Sequence, residues 1–223
     1  DLSLAIGACY NEIENTQGTP LPLNNMYLGP PIIYNESNFE NLPQKYKIYE
    51  FKNTDEILQR IFDGKIIATC LDRAEFGPRA LGNRSILADP RKRENVEKIN
   101  RKIKNRDFWM PFAPIILDEY QDEILVNPKK IECPYMTIGF DTINGNEKIP
   151  AAEHQADYTV RPLILNQRHN SKIWELTNKF YKKTGIPALL NTSFNLHGEP
   201  IVNSIHDALS VFERSDLDTL WLD

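Results

Sequence analysis

From about Lys45 onward, short apolar runs alternate with stretches whose apolar residues recur at three- and four-residue spacing. The first pattern predicts strands and the second helices. TDEILQRIFDG (54–64) places Ile57, Leu58 and Ile61 on one helical face, with Thr54 positioned to cap the start and Gly64 to end it. LSLAIGACYNEI (2–13), RKRENVEKINRKIKNR (91–106), DEYQDEIL (118–125), SKIWELTNKFYKKTG (171–185) and SIHDALSVFERS (204–215) read as further helices. In 91–106, Val96, Ile99 and Ile103 point inward; in 171–185, Ser171 is the expected cap and Gly185 the stop. KIYEF (47–51), KIIATCL (65–71), RSILAD (84–89), APIIL (113–117), PYMTIGF (134–140), RPLILN (161–166), IPALLNTSFN (186–195) and DTLWL (218–222) read as strands. Interleaved in this way they predict an α/β or α+β fold, a mixed sheet flanked by helices. TPLPLNNMYLGPPIIYN (19–35) is rich in Pro and Asn and reads as a connector. The expected organisation is therefore a short piece over 1–18, a linker over 19–44 and one domain over 45–223.

The 223 residues, 41% hydrophobic, suffice for one full core. No run of about 18 apolar residues appears, so no membrane span is expected. The start, DLSLAIGACYNEIEN, has no basic region and no Met, so it reads as an internal piece of a longer cytoplasmic chain rather than a signal peptide. Cys9, Cys70 and Cys133 are too scattered for a disulfide framework or zinc site and read as small buried residues in a reducing compartment. The net charge is -5, yet residues 73–106 hold 11 Lys and Arg against 4 Asp and Glu. An acidic chain repels polyanions at long range, which weighs against nucleic acid, while a local cationic patch suits a small phosphate ligand.

Three polar segments at strand ends carry the candidate chemistry. In RAEFGPRALGNRS (73–85), Arg73, Arg79 and Arg84 offer planar forks for phosphate or carboxylate, Ser85 adds a hydroxyl, and Gly77 and Gly82 allow backbone shapes closed to other residues. The spacing is not that of a Walker loop. In NRKIKNRDFWMPFAP (100–114), Lys102, Lys104 and Arg106 close a helix, and Phe108, Trp109 and Phe112 read as core anchors behind them. In LLNTSFNLHGEP (189–200), Asn191, Thr192, Ser193 and Asn195 form a cluster of short hydrogen-bonding side chains, either a ligand site or an Asx/Ser-Thr turn. No G-x-S-x-G elbow surrounds Ser193, which argues against a hydrolase nucleophile. His154, in EHQAD (153–157), reads as a polar positioning residue rather than a metal ligand.

In this order, EFGPRALGNRSILADPR, IKNRDFWMPFAP, EHQADYTVRP and GIPALLNTSFNLHGEPIV resemble the carbamoyltransferase family that modifies nodulation factors and antibiotics, in its C-terminal, YrdC-like domain. The resemblance runs from about Leu42 to Asp223. The opening DLSLAIGACY resembles the end of that family's N-terminal, actin-like domain. The resemblance implies binding of carbamoyl phosphate, release of phosphate, and reaction of carbamate with ATP and magnesium to give carbamoyl-adenylate. The carbamoyl group then passes, in the N-terminal domain with its divalent metal, iron, to a hydroxyl of a sugar or antibiotic-type acceptor. By resemblance Arg79 and Lys104 grip the phosphate and Arg161 and Ser193 complete the pocket. Arg73, Gly77, Arg84, Ser85, His154, Asn191, Thr192 and Asn195 are the further binding candidates. Asp1 matches a metal-ligand position, although Ser3 replaces the glycine that follows it in the family. Met110 stands where many members carry an arginine, so one expected phosphate or nucleotide contact is absent or supplied elsewhere. An RNA-binding module, a non-catalytic half and a homodimer stay open as alternatives.

Overall fold

A computed structural model describes residues 3–107 and 109–223. Asp1 and Phe108 lie outside the described residues. The chain begins with α1 (Ser3–Thr16), whose described residues are all partly or fully exposed. A single 3-10 turn (Glu36–Phe39) follows. Then come α2 (Asp55–Phe62), β1 (Ile67–Cys70), β2 (Ser85–Ala88) and α3 (Glu94–Glu97), which runs on as a π-helix over Lys98–Lys104. β3 (Ala113–Leu117) leads into a 3-10 helix (Asp118–Glu123), then β4 (Phe140–Asp141), α4 (Gly145–Lys148), β5 (Thr159–Val160) and β6 (Leu163–Leu165). The chain closes with α5 (Ser171–Thr184), β7 (Ala188–Ser193), α6 (Ile205–Glu213) and β8 (Thr219–Leu222).

Six strands form one mixed sheet in the order β6-β3-β7-β2-β1-β8. The outer pairs, β6 with β3 and β1 with β8, are parallel; the three inner pairings are antiparallel. Period-two alternation divides each strand between two cores. Ile67, Leu87 and Leu189 face α2 and α5, meeting Ile57, Leu58, Ile61, Ile173, Leu176 and Phe180. Ala68, Cys70, Ile86, Ala88 and Leu190 face the other way, against Ile99 and Ile103 of the π-helix and Ala208 and Val211 of α6. With helices on both sides, the strands read as unbroken apolar runs, as the sequence shows. A third cluster joins Ile116 and Ile164 of the sheet to Phe140 and Val160 of the β4–β5 hairpin, which seats that hairpin over the β3–β6 edge.

Several expectations need correction. KIYEF (47–51) forms no strand: Ile48 is 67% exposed, and Tyr49 and Phe51 lie over the Arg60 guanidinium instead of in a ladder. PYMTIGF reaches the hairpin ladder only at Phe140, because Met136 has a positive φ of 57°, which ends an extended run. The α5 cap is Asn170, whose carboxamide accepts the Ile173 N–H; Ser171 is already in the helix. Thr54 makes no side-chain cap; its hydroxyl donates to Glu175. Cys9 is exposed, whereas Cys70 and Cys133 are buried. Trp109 is 62% exposed and no core anchor, although Phe112 is buried. Within the connector, residues 26–32 are hydrogen-bonded to residues 72–76: Gly29 N–H to Ala74 O at 2.9 Å, Ala74 N–H to Pro30 O at 2.9 Å and Ile32 N–H to Asp72 O at 2.9 Å.

Candidate functional site

β7 runs between β2 and β3, so the end of this central strand is held on both sides. Asn191 pairs with Leu87 and Ala113, and Ser193 with Ser85. Two other segments meet this strand end: the turn that enters β2 and the stretch that joins the π-helix to β3. The β5 hairpin covers them from the β6 side. Together they enclose a cavity of about 400 Å³. Arg79, Arg106 and Arg161 line it from three separate segments, with His154, Asp157, Asn191, Thr192 and Ser193.

Its charge is dominated by the three guanidiniums. Burial, and then the neighbouring Arg79 charge, pull the Arg161 pKa below its ordinary value. Two like charges drawn together are stabilised by an anion between them. Among the described residues the single lining carboxylate, Asp157, is already occupied. It accepts the Thr159 N–H at 3.1 Å and the Thr159 hydroxyl at 2.8 Å, and it pairs with His154 Nδ1 at 2.7 Å. Those bonds, Thr159 first, lower its pKa.

Arg106 is the site residue that a sequence reading places only at a helix end. Asn105, with a left-handed φ of 48°, ends the π-helix, and Arg106 leaves the helical path after it. Its Nε donates to Asn100 Oδ1 at 2.6 Å and its guanidinium lies 4.6 Å from the Phe112 ring centre. One terminal nitrogen is buried and has no hydrogen-bond partner among the described residues. Burial lowers its pKa to about 10, still charged at neutral pH. The one hint in sequence is Met110, where an arginine is expected from the resemblance, which leaves room for a cation from another position.

Lys104 is placed differently from its expected role. It is 3% exposed and does not line the arginine cavity. Its ammonium donates to Ser193 O at 2.6 Å, Ser193 Oγ at 3.1 Å and Asn195 Oδ1 at 2.7 Å. It therefore fixes the strand end that carries Ser193. Burial, and then the Arg106 charge, pull its pKa down to about 7.

The turn over 73–85 is likewise divided. Arg79 faces the cavity. Arg73 is an exposed side chain that donates to Tyr27 O and Leu28 O, holding the connector. Arg84 is fully buried, and its terminal nitrogens donate to the Leu71, Asn83 and Asp72 carbonyls. Ser85 is buried too and accepts the Gly82 N–H at 3.0 Å. Gly82 has a φ of 111°, and a Cβ there would meet Ile173 at 2.8 Å, so the turn needs glycine. Glu75, the first residue of the EFGPRALGNRSILADPR motif but not among the binding candidates, anchors the turn: one carboxylate oxygen accepts the N–H groups of Leu81, Asn83 and Arg84 at 2.7 to 3.1 Å. Burial raises its pKa against those bonds.

Gly77, Arg84 and Asn195 line a second cavity, of about 530 Å³, beside the first; Pro78 and Ser193 border both. Asn195 donates to Glu199 O at 2.7 Å, so its amide is bonded on both sides. Among the described residues no group of three or more His, Cys, Asp or Glu is placed to hold a metal ion; the metal-ligand candidate Asp1 lies outside them.

Known proteins resemble the chain along most of its length. The family described as carbamoyltransferase C-terminus matches residues 58–223. The nodulation protein NolNO of Sinorhizobium fredii is 37% identical over 228 residues, covering 99% of this chain and 33% of that protein. An uncharacterized protein of Methanocaldococcus jannaschii is 40% identical, covering 90% of this chain and 40% of its own length. Nodulation protein NolO of Bradyrhizobium diazoefficiens is 36% identical, with 99% and 41% covered. The chain thus spans about a third to two fifths of these curated relatives. Among solved structures, full-length HypF in its phosphate- and nucleotide-bound form superposes with a TM-score of 0.54 at 17% identity, covering 76% of this chain and 21% of HypF, a likeness of fold.

Proposed function

The chain belongs to the carbamoyltransferase C-terminus family, and on that premise we propose that its arginine-lined cavity is a carbamoyl-phosphate site. The observation that carries this reading is the convergence of Arg79, Arg106 and Arg161 on one small cavity whose lining carboxylate, Asp157, is already hydrogen-bonded. A small dianion matches that charge, and guanidinium forks match its oxygens. Arg79 and Arg161 hold the phosphate, with Arg106 taking the place of the arginine absent at Met110. Thr192 adds a short hydrogen bond, and the Ser193 hydroxyl, which donates to Asn195 Oδ1 at 2.7 Å and accepts from Lys104, borders the ligand. Lys104 acts through Ser193 rather than on the ligand.

In the reaction proposed, water attacks the carbonyl carbon, the carbon–oxygen bond to the phosphate breaks, and phosphate leaves with the electron pair. The arginines stabilise the charge that collects on that oxygen, a contribution of about 3 kcal/mol for one such donor. A carbamate oxygen then attacks the α-phosphorus of ATP, brought with its magnesium, and pyrophosphate departs to leave carbamoyl-adenylate. HypF, which shares the fold, has been solved with phosphate and a nucleotide bound, and a fold that receives both suits this pair of ligands. Transfer to the hydroxyl of a sugar or antibiotic-type acceptor falls to another domain. Nucleic acid is a poorer fit, because the cations face a small cavity in a chain of net charge -5.

Calorimetric titration of the 223-residue chain tests this reading. Saturable binding of carbamoyl phosphate, displaced by inorganic phosphate, is the expected result. No saturable binding of either compound would contradict it.

A further inference from the structure

Residues 26–32 lie outside the span that the family model matches, 58–223, yet they are built into the turn that carries Arg79. Ahead of Arg79, the Phe76 N–H donates to Met26 O at 2.7 Å. After it, the Tyr27 hydroxyl donates to Leu81 O at 2.7 Å and accepts from Nδ2 of Asn170, the α5 cap, at 3.4 Å. Met26 and Tyr27 are half-buried and pack against the core that α2 and α5 share. Gly29 closes so tightly on the turn that a Cβ there would lie 2.9 Å from Ala74 O. The connector thus grips the turn three residues before Arg79, at Phe76, and two residues after it, at Leu81.

The two residues that follow Arg79 are held from three directions. Asn191 of β7 donates to Ala80 O at 3.0 Å, Glu75 accepts the Leu81 N–H at 2.7 Å, and Tyr27 donates to Leu81 O. The first two partners lie within the matched domain; the third reaches in from the connector. Between the two grips, Gly77 has a φ of 110°, a position at which backbone rearranges readily once an anchor is lost. We propose that Tyr27 is a positioning residue of the arginine-lined site. Its hydroxyl fixes the Leu81 peptide, and through it the place of Arg79 in the cavity, so that the connector from Met26 onward is part of the working site. Arg73 reaches the same connector, but its bonds to Tyr27 O and Leu28 O are exposed, and water replaces them at little cost. The inference rests on the carbamoyl-phosphate reading above and adds a residue from outside the matched domain. A displaced Arg79 would lose affinity although the charge of the cavity stays the same.

The test titrates the whole chain with carbamoyl phosphate, as wild type, Tyr27→Phe, Gly29→Ala, Arg79→Ala and the Tyr27→Phe, Arg79→Ala double variant. Tyr10→Phe is the control, since that hydroxyl bonds Leu21 O and the Leu23 N–H, in a part of the connector away from the turn. Tyr27→Phe should weaken binding roughly 3- to 10-fold, the range one neutral hydrogen bond allows. Gly29→Ala, which pushes the connector off Ala74, should weaken it at least as much, and Tyr10→Phe should stay within about 2-fold of wild type. In the Arg79→Ala background, titrated at high ligand concentration, Tyr27→Phe should change affinity by less than about 2-fold, because a residue that acts through Arg79 has nothing left to act through. A merely structural role would give the same effect with and without Arg79. Wild-type affinity in a folded Tyr27→Phe overturns the inference and leaves the carbamoyl-phosphate site standing. A full effect of Tyr27→Phe in the Arg79→Ala background overturns it too. If Tyr27→Phe does not fold, Gly29→Ala carries the same comparison. If wild type binds no carbamoyl phosphate, that reading fails and takes the inference with it.

Discussion

The turn over residues 73–85 and the helix end over 100–106 each crowd cations into a few positions, and the fold divides them alike. In the turn, Arg79 faces the cavity, whereas Arg84 is sealed in the core on backbone carbonyls. At the helix end, Arg106 faces the cavity, whereas Lys104 is sealed against Ser193 and Asn195. In both regions one cation holds the framework and another lines the cavity proposed for the ligand. Local charge density in sequence therefore reports both roles at once. Only the placement of each side chain in the fold separates them.

Substitution at the framework cations and at the cavity cations should give opposite signatures. Arg84→Met should be the most damaging change, because it leaves the Leu71 and Asp72 carbonyls without their guanidinium donor in the core. A loss of roughly 3 kcal/mol or more in urea unfolding is expected; a near-neutral result would break the comparison. Arg106→Met removes a cavity charge and should weaken carbamoyl phosphate binding about 10-fold, a smaller step of about 1.4 kcal/mol. Unfolding by urea should change less than binding does, and the reverse order would place Arg106 with the framework.

Lys104 sharpens the comparison through pH. Its pKa in the folded chain is about 7, against an unfolded value of about 10.4. Between those values the unfolded chain binds more protons, so stability rises with pH, by up to about 1.4 kcal/mol per unit from this group. Below about pH 7 the lysine is protonated in both states and adds no slope. Lys104→Met should flatten the rise between about pH 7 and 9 in urea midpoints; an identical slope would contradict the burial assigned to Lys104. The smallest effect belongs to Lys102, an exposed residue in the same helix end. Lys102→Ala should alter neither stability nor binding beyond about 0.5 kcal/mol.

The sheet is legible in the sequence because β1, β2, β3 and the first part of β7 are buried on both faces and keep unbroken apolar runs. KIYEF carries a similar run but has no partner strand, and pairing is a tertiary fact that local pattern does not contain. The α5 cap falls one residue before the expected position because Asn170 and Ser171 both suit it. Within the site, Arg79, Arg161, Asn191, Thr192 and Ser193 stand in the family-like motifs and meet in one cavity. Arg106 escapes a sequence reading because a cation at a helix C-terminus already has an ordinary explanation in the macrodipole. Its exit from the helix depends on the left-handed Asn105, which the sequence does not announce.

The central claim is that the cavity cations, not the framework or connector cations, act on an acyl phosphate. Phosphate release from carbamoyl phosphate, corrected for the uncatalysed rate, tests it most directly in wild type, Arg79→Ala and Arg73→Ala. The account predicts saturable release by wild type, roughly a 100-fold loss in Arg79→Ala, and a rate near wild type in Arg73→Ala, whose guanidinium holds the connector carbonyls. Equal rates in wild type and Arg79→Ala, or an equal loss in both variants, would contradict it.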